Sequence, residues 1–108
     1  MKNPLDMASS SVEEIVEFFK IIFLKNGEKA HDYYCGITNN IENNLQRHHI
    51  EEYDACVDCG TYEKSSQVEK ELGEFGFDIG SPNNPAGNGG AEDSTIVYMV
   101  RKIEQFKR

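Results

Sequence analysis

The chain has few basic residues, no tryptophan and no long uninterrupted apolar run. Lysine and arginine together number 11, against 19 aspartate and glutamate residues, so the formal net charge is -8 at pH 7. Proteins that grip phosphates usually present a basic face, because neutralising phosphates releases counterions. The charge therefore makes nucleic acid the less favoured partner. It favours a protein partner with a basic surface, or mimicry of a nucleic acid.

The sequence also lacks the features of a membrane or secreted protein. A spanning helix needs ~20 consecutive apolar residues, and acidic and basic residues interrupt the most apolar stretch, 12–24. The N-terminus shows neither the apolar run nor the small-residue cleavage site of a signal peptide. Three cysteines, an odd number, fit a reducing compartment better than a disulfide framework. We expect a cytoplasmic protein that does not bind membranes.

The length of 108 residues fits one domain. Apolar residues at helical spacing follow a Ser11–Glu14 capping box, which satisfies free amide groups at a helix start. A second possible box is formed by Asn39 and Glu42. A third, Ser66 with Glu69, predicts the start of a helix that carries Val68, Leu72 and Phe75 inward. The predicted elements are helix 12–25, strand 31–38, a helix ending near His48, strand 53–59, a helix from Ser66 to Phe75, and strand 95–102.

Two segments fall outside these elements. Residues 1–9 show no periodicity and predict a loose N-terminus. Residues 80–94 are rich in glycine, asparagine and proline, which favour turns over helices and strands. A loop of this length in a small domain is usually functional or mobile. The alternation of helices and strands around it predicts an α+β domain.

The most informative segment is 33–48, a predicted strand that leads through a short polar turn into a helix. It resembles the second half of the GIY-YIG nuclease motif, which is Tyr-x-Gly-x-Thr followed by a helix with an arginine and then a histidine. The residues in step with that pattern are Tyr34, Gly36, Thr38, Asn40, Leu45 and His48. The resemblance implies a small three-stranded antiparallel sheet flanked by helices. It also implies phosphodiester cleavage with one divalent metal, Mg²⁺ or Mn²⁺.

The resemblance assigns roles to individual residues. Tyr34 and Tyr98 stand for the two motif tyrosines, Gly36 and Thr38 form the turn beneath the site, His48 faces the site, and Glu69 holds the metal. The residue at the catalytic arginine position is Asn44. An amide cannot replace the charged, forked donors of a guanidinium, and losing such a donor typically costs about 100-fold in rate. Arg47 lies almost one helical turn further on, and we expect it to reach only a neighbouring space.

The first half of the GIY-YIG motif is missing from its usual place. A strand carrying it should precede the Tyr33 strand directly, but the helix ending at Lys25 occupies that position. We therefore expect the C-terminal strand, 95–102, to pair with 32–37. The family fold would then be present in a permuted order.

Cys56 and Cys59 form a CxxC pair that has no second pair to complete a zinc site. The remaining candidate ligands are His48, His49 and Cys35. The favoured interpretation is that Cys56 and Cys59 are simply small, partly buried residues. We expect no bound zinc and no intrachain disulfide.

Three functions remain open at this point. The first is a catalytically degenerate GIY-YIG-like domain that acts by binding a protein, needs no cofactor, and would suit a phage or mobile-element accessory factor. The second is a metal-dependent endonuclease that tolerates the missing arginine. The third is a small-molecule or nucleotide-binding module that reuses the cleft. Asn44 and the acidic charge favour the first, so we expect no enzymatic activity.

Overall fold

The computed structural model describes residues 3–26, 29–81, 84–85 and 94–107. Over this part of the chain the fold is α+β, with three α-helices and a four-stranded sheet. The elements are β1 (Leu5–Asp6), α1 (Val12–Asn26), a short 3-10 helix (Ala30–Asp32), β2 (Tyr33–Thr38), α2 (Ile41–His48), β3 (Ala55–Asp58), α3 (Tyr62–Phe75), β4 (Gly80–Ser81), β5 (Asn84–Pro85) and β6 (Ile96–Arg101). Among the described helices, none combines the length and apolar character that a membrane crossing requires.

The main sheet has the strand order β1-β3-β6-β2. The C-terminal strand β6 lies inside the sheet and runs antiparallel to both β2 and β3. The edge strand β1 runs parallel to β3 and pairs Leu5 with Val57. The sheet is therefore mixed and four-stranded, not the three-stranded antiparallel sheet that we expected. The fourth strand comes from 1–9, where the sequence predicted no regular element.

The predicted pairing between the C-terminal strand and the Tyr33 strand is confirmed. The register runs from Tyr33 opposite Arg101 to Thr38 opposite Ile96, with Gly36 opposite Tyr98. A further segment covers the outer edge of β2, since the Cys35 amide donates to the Asp78 carbonyl (2.8 Å) and the Asp78 amide donates to the Tyr33 carbonyl (3.0 Å). Both edges of β2 therefore have hydrogen-bonding partners.

The two faces of the sheet bury different sets of side chains, because successive residues of a strand point to opposite faces. One face, which we call the helix-pair face, packs against α1 and α3. Its buried side chains include Ile15, Phe19, Phe23, Tyr33, Cys35, Ile37, Val68, Leu72, Val97 and Met99. The other, the tyrosine face, packs against α2 and the C-terminal segment. Its buried side chains are Tyr34, Leu45, Tyr53, Cys56, Tyr98 and Val100.

The helix starts agree only partly with the predicted capping boxes. Ser11 and Glu14 cap α1 reciprocally, with N···O distances of 2.9 and 3.1 Å. The N-cap of α2 is Asn40, whose side chain accepts from the Asn43 amide. The N-cap of α3 is Thr61, so the predicted start at Ser66 is wrong by more than one turn.

Two smaller differences concern the end of α3 and the following loop. Phe75 was expected to point inward but is 43% exposed, at the end of the helix. Within the predicted loop 80–94, Gly80–Ser81 pairs antiparallel with Asn84–Pro85. Residues 82–83 and 86–93 of that loop lie outside the described residues.

Candidate functional site

The tyrosine face of the sheet holds the residues of the GIY-YIG-like pattern. Tyr34 from β2, Tyr98 from β6 and His48 from α2 are all buried there. The ring centroids lie 5.3 Å apart for Tyr34 and His48, and 5.6 Å apart for His48 and Tyr98. Tyr53 lies 4.9 Å from Tyr98 on its other side. The expected tyrosines and histidine therefore form one cluster, which we call the tyrosine-histidine cluster.

The hydrogen bonds of His48 fix its protonation. Nδ1 faces the Lys107 carbonyl oxygen, which can only accept, so Nδ1 carries the proton. Nε2 lies 3.1 Å from Arg47 Nη2, which can only donate, and 2.8 Å from the Tyr98 hydroxyl. His48 is therefore a neutral imidazole that accepts at Nε2. Burial lowers the pKa of His48, which favours the neutral imidazole.

Asn44 links this cluster to α2. Its Nδ2 donates to the Tyr53 hydroxyl at 2.9 Å, and its Oδ1 accepts from Arg47 Nη2 at 3.1 Å. The Tyr53 hydroxyl donates in turn to the Ile41 carbonyl at 3.2 Å. Asn44 is 4% exposed, so these bonds satisfy a buried amide. The residue at the arginine position thus holds α2 against the sheet.

Arg47 comes closer to the cluster than the sequence indicated. The Nη2 nitrogen of Arg47 contacts both Asn44 and His48. The Nε nitrogen of Arg47 is buried and has no hydrogen-bond partner. The guanidinium therefore lies beside the position that the resemblance assigns to arginine, on the same helix. The i to i+3 spacing from Asn44 permits this approach, but the contact with His48 depends on how α2 packs.

Two phenols of the cluster, Tyr53 and Tyr98, are weaker acids than a free tyrosine. Burial raises the pKa of Tyr53 to about 12, and an Asn44 hydrogen bond opposes the shift. Burial also raises the pKa of Tyr98, and the nearby Tyr34 adds to that effect. Both phenols are therefore neutral at physiological pH, and neither is poised to act as a general base.

The C-terminal segment covers the cluster. The Phe106 ring stacks on His48 with centroids 5.1 Å apart, and it lies 5.2 Å from the Tyr34 ring. The Lys107 amide donates to the His48 carbonyl at 2.8 Å. Neither Phe106 nor Tyr53 was predicted from the sequence as part of the site. No local motif marks either residue, because both reach the cluster through tertiary packing.

A polar groove of about 430 Å³ opens beside the cluster, at the N-terminal side of α2. It is lined by Thr38, Asn39, Asn40, Asn43, Asn44, Gln46 and Arg47. The predicted turn residue Thr38 lies here, and its Oγ1 accepts from the Asn40 amide at 3.1 Å. Gly36 is different, because it lies within β2 and not in a turn, and it lacks a positive φ. The groove offers amide groups and one guanidinium to a ligand.

Glu69 is the one predicted site residue that lies away from the others. It belongs to the buried side of α3, which packs on the helix-pair face of the sheet. Burial raises the pKa of the Cys35 thiol on that face, and the Glu69 carboxylate adds to the effect. Glu69 is 6% exposed, and its Oε2 has no hydrogen-bond partner. Burial raises its pKa to about 7.

A catalytic metal does not fit this arrangement. The sheet separates the Glu69 carboxylate from the tyrosine-histidine cluster, so the carboxylate cannot share a metal ion with it. Across the residues that the structure describes, no three histidine, cysteine, aspartate or glutamate side chains converge on a metal-sized site. No step can therefore be derived through a metal ion at this cluster.

The CxxC cysteines are also divided between the two faces. Cys56 packs in the tyrosine-face core and Cys59 in the helix-pair core. Burial raises the pKa of each thiol to about 12, so neither is a reactive thiolate at neutral pH. Cys56 and Cys59 are therefore buried and unreactive, as core residues are.

The arrangement on the tyrosine face is thus a closed hydrogen-bonded cluster with a polar groove at its side. Its chemistry is that of hydrogen bonding and packing, because the imidazole lone pair, the phenols and the Asn44 amide already have partners. No family model matches this chain, and neither the curated proteins nor the solved structures contain a significant match.

Proposed function

We propose that this chain is a catalytically degenerate GIY-YIG-like domain that acts by binding a protein partner. One observation carries the proposal. The register between β2 and β6 puts Gly36 opposite Tyr98 and so places Tyr34 and Tyr98 on one face of the sheet, where the His48 ring of α2 packs against both. A permuted GIY-YIG domain requires this pairing.

The state of the cluster supports a loss of catalysis. Tyr34, Tyr98 and His48 are each at most 2% exposed, so a scissile phosphate has no access to their polar atoms. Phe106 and the Lys107 carbonyl occupy the remaining sides of the imidazole. Asn44 replaces the arginine, and Glu69 lies beyond the sheet. Each of the groups that a hydrolytic site would need is thus missing or already engaged.

The charge of the molecule supports a protein as the partner. A net charge of -8 repels phosphate-bearing polymers before any contact forms. The same charge attracts a basic protein surface and speeds its association. Binding is therefore best sought on the acidic exterior, away from the closed cluster.

A nuclease assay on supercoiled plasmid and single-stranded RNA, with Mg²⁺ and with Mn²⁺, tests the catalytic half of the proposal. We expect no cleavage by the unmodified chain, and none by Asn44→Arg, because Glu69 lies on the opposite face. Glu69→Ala in both backgrounds is the control. Cleavage by the unmodified chain that Glu69→Ala abolishes would replace the proposal with the nuclease function.

The binding half is tested by affinity capture from the native host, followed by reconstitution with the purified candidate. We expect a 1:1 complex with a basic protein that survives nuclease treatment. A complex that nuclease treatment dissolves would show that nucleic acid, not protein, is the ligand.

A metal-dependent endonuclease is the second candidate: the position of Arg47 favours it, and the separation of Glu69 from the cluster counts against it. Its Nη2 lies 3.1 Å from both Asn44 Oδ1 and His48 Nε2, where it could serve in place of the missing arginine. If this candidate is right, Arg47→Ala abolishes cleavage by the unmodified chain and Asn43→Ala, at the rim of the same groove, does not.

A further inference from the structure

The outer side of α1 carries an apolar groove bordered by carboxylates. Its volume is about 500 Å³, and its lining consists of Met7, Glu13, Glu14, Glu17, Phe18 and Ile21. Ile21 is 52% exposed, and Leu24, one turn further along the same side of the helix, is 65% exposed. Among the described residues these are the two most exposed large apolar side chains.

Met7 and Phe18 pack partly against the helix-pair core, whereas Ile21 and Leu24 are not part of it. The opposite side of α1 supplies Ile15, Val16, Phe19 and Phe23 to the helix-pair core. Scattered exposed apolar residues are common in proteins. Here, however, the outer apolar residues line a concavity and stand next to three glutamates. That combination of shape, apolar floor and one sign of charge is typical of a docking site.

We infer that this groove binds a basic amphipathic helix of the protein partner, an inference that rests on the proposed function. In such a complex the apolar stripe of the incoming helix packs on Met7, Phe18 and Ile21. Glu13 and Glu17 are one turn apart, about 6 Å along the axis. Lysines on neighbouring turns of the incoming helix match that spacing.

The border of the groove is negatively charged at neutral pH. The Ser11 backbone amide donates to Glu14, and that hydrogen bond lowers the pKa of the Glu14 carboxyl. Glu17 forms an ion pair with Lys20 at 3.6 Å, but its side chain is 63% exposed, so the pair is weak. A basic ligand can therefore compete for the Glu17 carboxylate.

The chemistry of the groove disfavours other occupants. Nucleic acid and anionic membrane surfaces are repelled by the three glutamates. A second copy of this chain would bring its own excess of acidic residues, 19 against 11 basic ones. A basic helix is the ligand that satisfies both the apolar floor and the charged border.

The test uses the full chain and a fluorescent peptide of five helical turns, about 18 residues. The peptide contains only leucine and lysine, with the leucines on one face, and a scrambled peptide of the same composition is the control. Fluorescence anisotropy gives the dissociation constant for the unmodified chain, for Ile21→Ser and for Glu13→Gln/Glu17→Gln. Ile21 is exposed, so its replacement should leave the fold intact, and circular dichroism checks this.

The chain offers a matched control at a second acidic groove. That groove is lined by His49, Ile50, Glu51, Glu52, Asp54, Val100, Arg101, Ile103 and Gln105. Ile103 is 44% exposed, close to the value for Ile21. The control variants are therefore Ile103→Ser and Glu51→Gln/Glu52→Gln. They remove one exposed isoleucine side chain and two carboxylates, as in the test variants, but at the second groove.

We expect Ile21→Ser to weaken binding of the amphipathic peptide at least about fivefold, or about 1 kcal/mol. Glu13→Gln/Glu17→Gln should reduce the salt dependence of binding, and the control variants should change neither quantity. Equal binding of the scrambled peptide, no effect of Ile21→Ser, or a larger effect of Ile103→Ser would each overturn the inference.

A failure here can be told apart from a failure of the proposed function. If Ile21→Ser forms the complex with the captured partner as tightly as the unmodified chain does, protein binding stands and the groove is not its site. If the unmodified chain cleaves nucleic acid, the proposed function itself is wrong.

Discussion

Asn44 has a structural role beside the tyrosine-histidine cluster. Its side chain donates to Tyr53 and accepts from Arg47, so it connects the sheet, α2 and the groove. A longer, charged side chain at this position would have to displace at least one of these partners. The amide is therefore well suited to hold the fold together, and poorly suited to stabilise a developing phosphorane charge.

Asn44→Ala should lower the free energy of unfolding by about 1–3 kcal/mol, because the buried Tyr53 hydroxyl and Arg47 guanidinium each lose a partner. Urea denaturation measures the change. Asn43→Ala is the matched control, since Asn43 is exposed on the same helix, and we expect a change within about 0.5 kcal/mol. Equal effects of the two substitutions would show that the network adds little to stability.

Glu69 makes the stability of the folded molecule depend on pH. Burial raises its pKa from the ordinary 4.5 to about 7 in the folded chain. At pH values between 4.5 and about 7, the Glu69 carboxyl is protonated in the folded chain and ionised in the unfolded chain. The free energy of unfolding therefore falls as the pH rises from 4.5 to 7, and the loss is complete above 7.

Glu69→Gln should accordingly be more stable than the unmodified chain at pH 8, by about 1–3 kcal/mol, and the gain should shrink towards pH 5. Urea denaturation at both pH values measures it. Glu74→Gln is the control, because Glu74 is exposed on the same helix, and we expect no comparable gain. A gain of the same size at pH 5 and pH 8 would contradict the assigned cause.

At the scale of the elements, the true start of α3 shows how tertiary packing overrides a local signal. Thr61 Oγ1 accepts from the Lys64 amide at 3.2 Å, and the helix begins at Tyr62. The Lys64 ammonium reaches back to the carbonyls of Ala8 and Ser10, which ties this first turn to the N-terminal segment. The Ser66–Glu69 pair has the sequence of a capping box, but it lies inside the helix.

Thr61→Ala should destabilise the domain by about 1 kcal/mol through loss of the N-cap. Ser66→Ala should have an effect within about 0.5 kcal/mol, since Ser66 caps nothing. Thermal denaturation of the two variants compares them directly. A larger loss of stability for Ser66→Ala than for Thr61→Ala would instead support the helix start at Ser66 that the sequence predicted.

Much of this element structure could be read from the sequence, for reasons that are local. The periodicity of α1 and its capping box predict residues 12–25, and the helix spans Val12–Asn26. The strand β1 has only two residues and no pattern of its own, and it exists because β3 offers an edge. The site divides in the same way: the resemblance to the GIY-YIG motif indicated Tyr34 and His48, whereas Phe106 and the separation of Glu69 depend on how the chain returns to the sheet.

At the scale of the whole molecule, the C-terminal strand closes the fold. β6 lies between β2 and β3 and pairs with both, although it follows them by a long stretch of chain. Its residues Val97, Tyr98 and Met99 are completely buried, and they contribute to the cores on both faces of the sheet. Without β6, the two strands beside it have no common neighbour, and the tyrosine-histidine cluster loses Tyr98.

Removing residues 94–108 should therefore abolish cooperative folding of residues 1–93, even though that fragment contains α1, α2 and α3. The loss of several fully buried side chains, each contributing about 1.5–3 kcal/mol, is comparable with the whole stability of a small domain, about 5–15 kcal/mol. Circular dichroism and urea denaturation of the fragment test this. A synthetic peptide of residues 94–108, added in trans, should restore a cooperative transition, and the same peptide with Tyr98→Ala should restore it poorly. If the fragment alone unfolds cooperatively, the sheet does not depend on its C-terminal strand, and the permuted arrangement loses its main structural support.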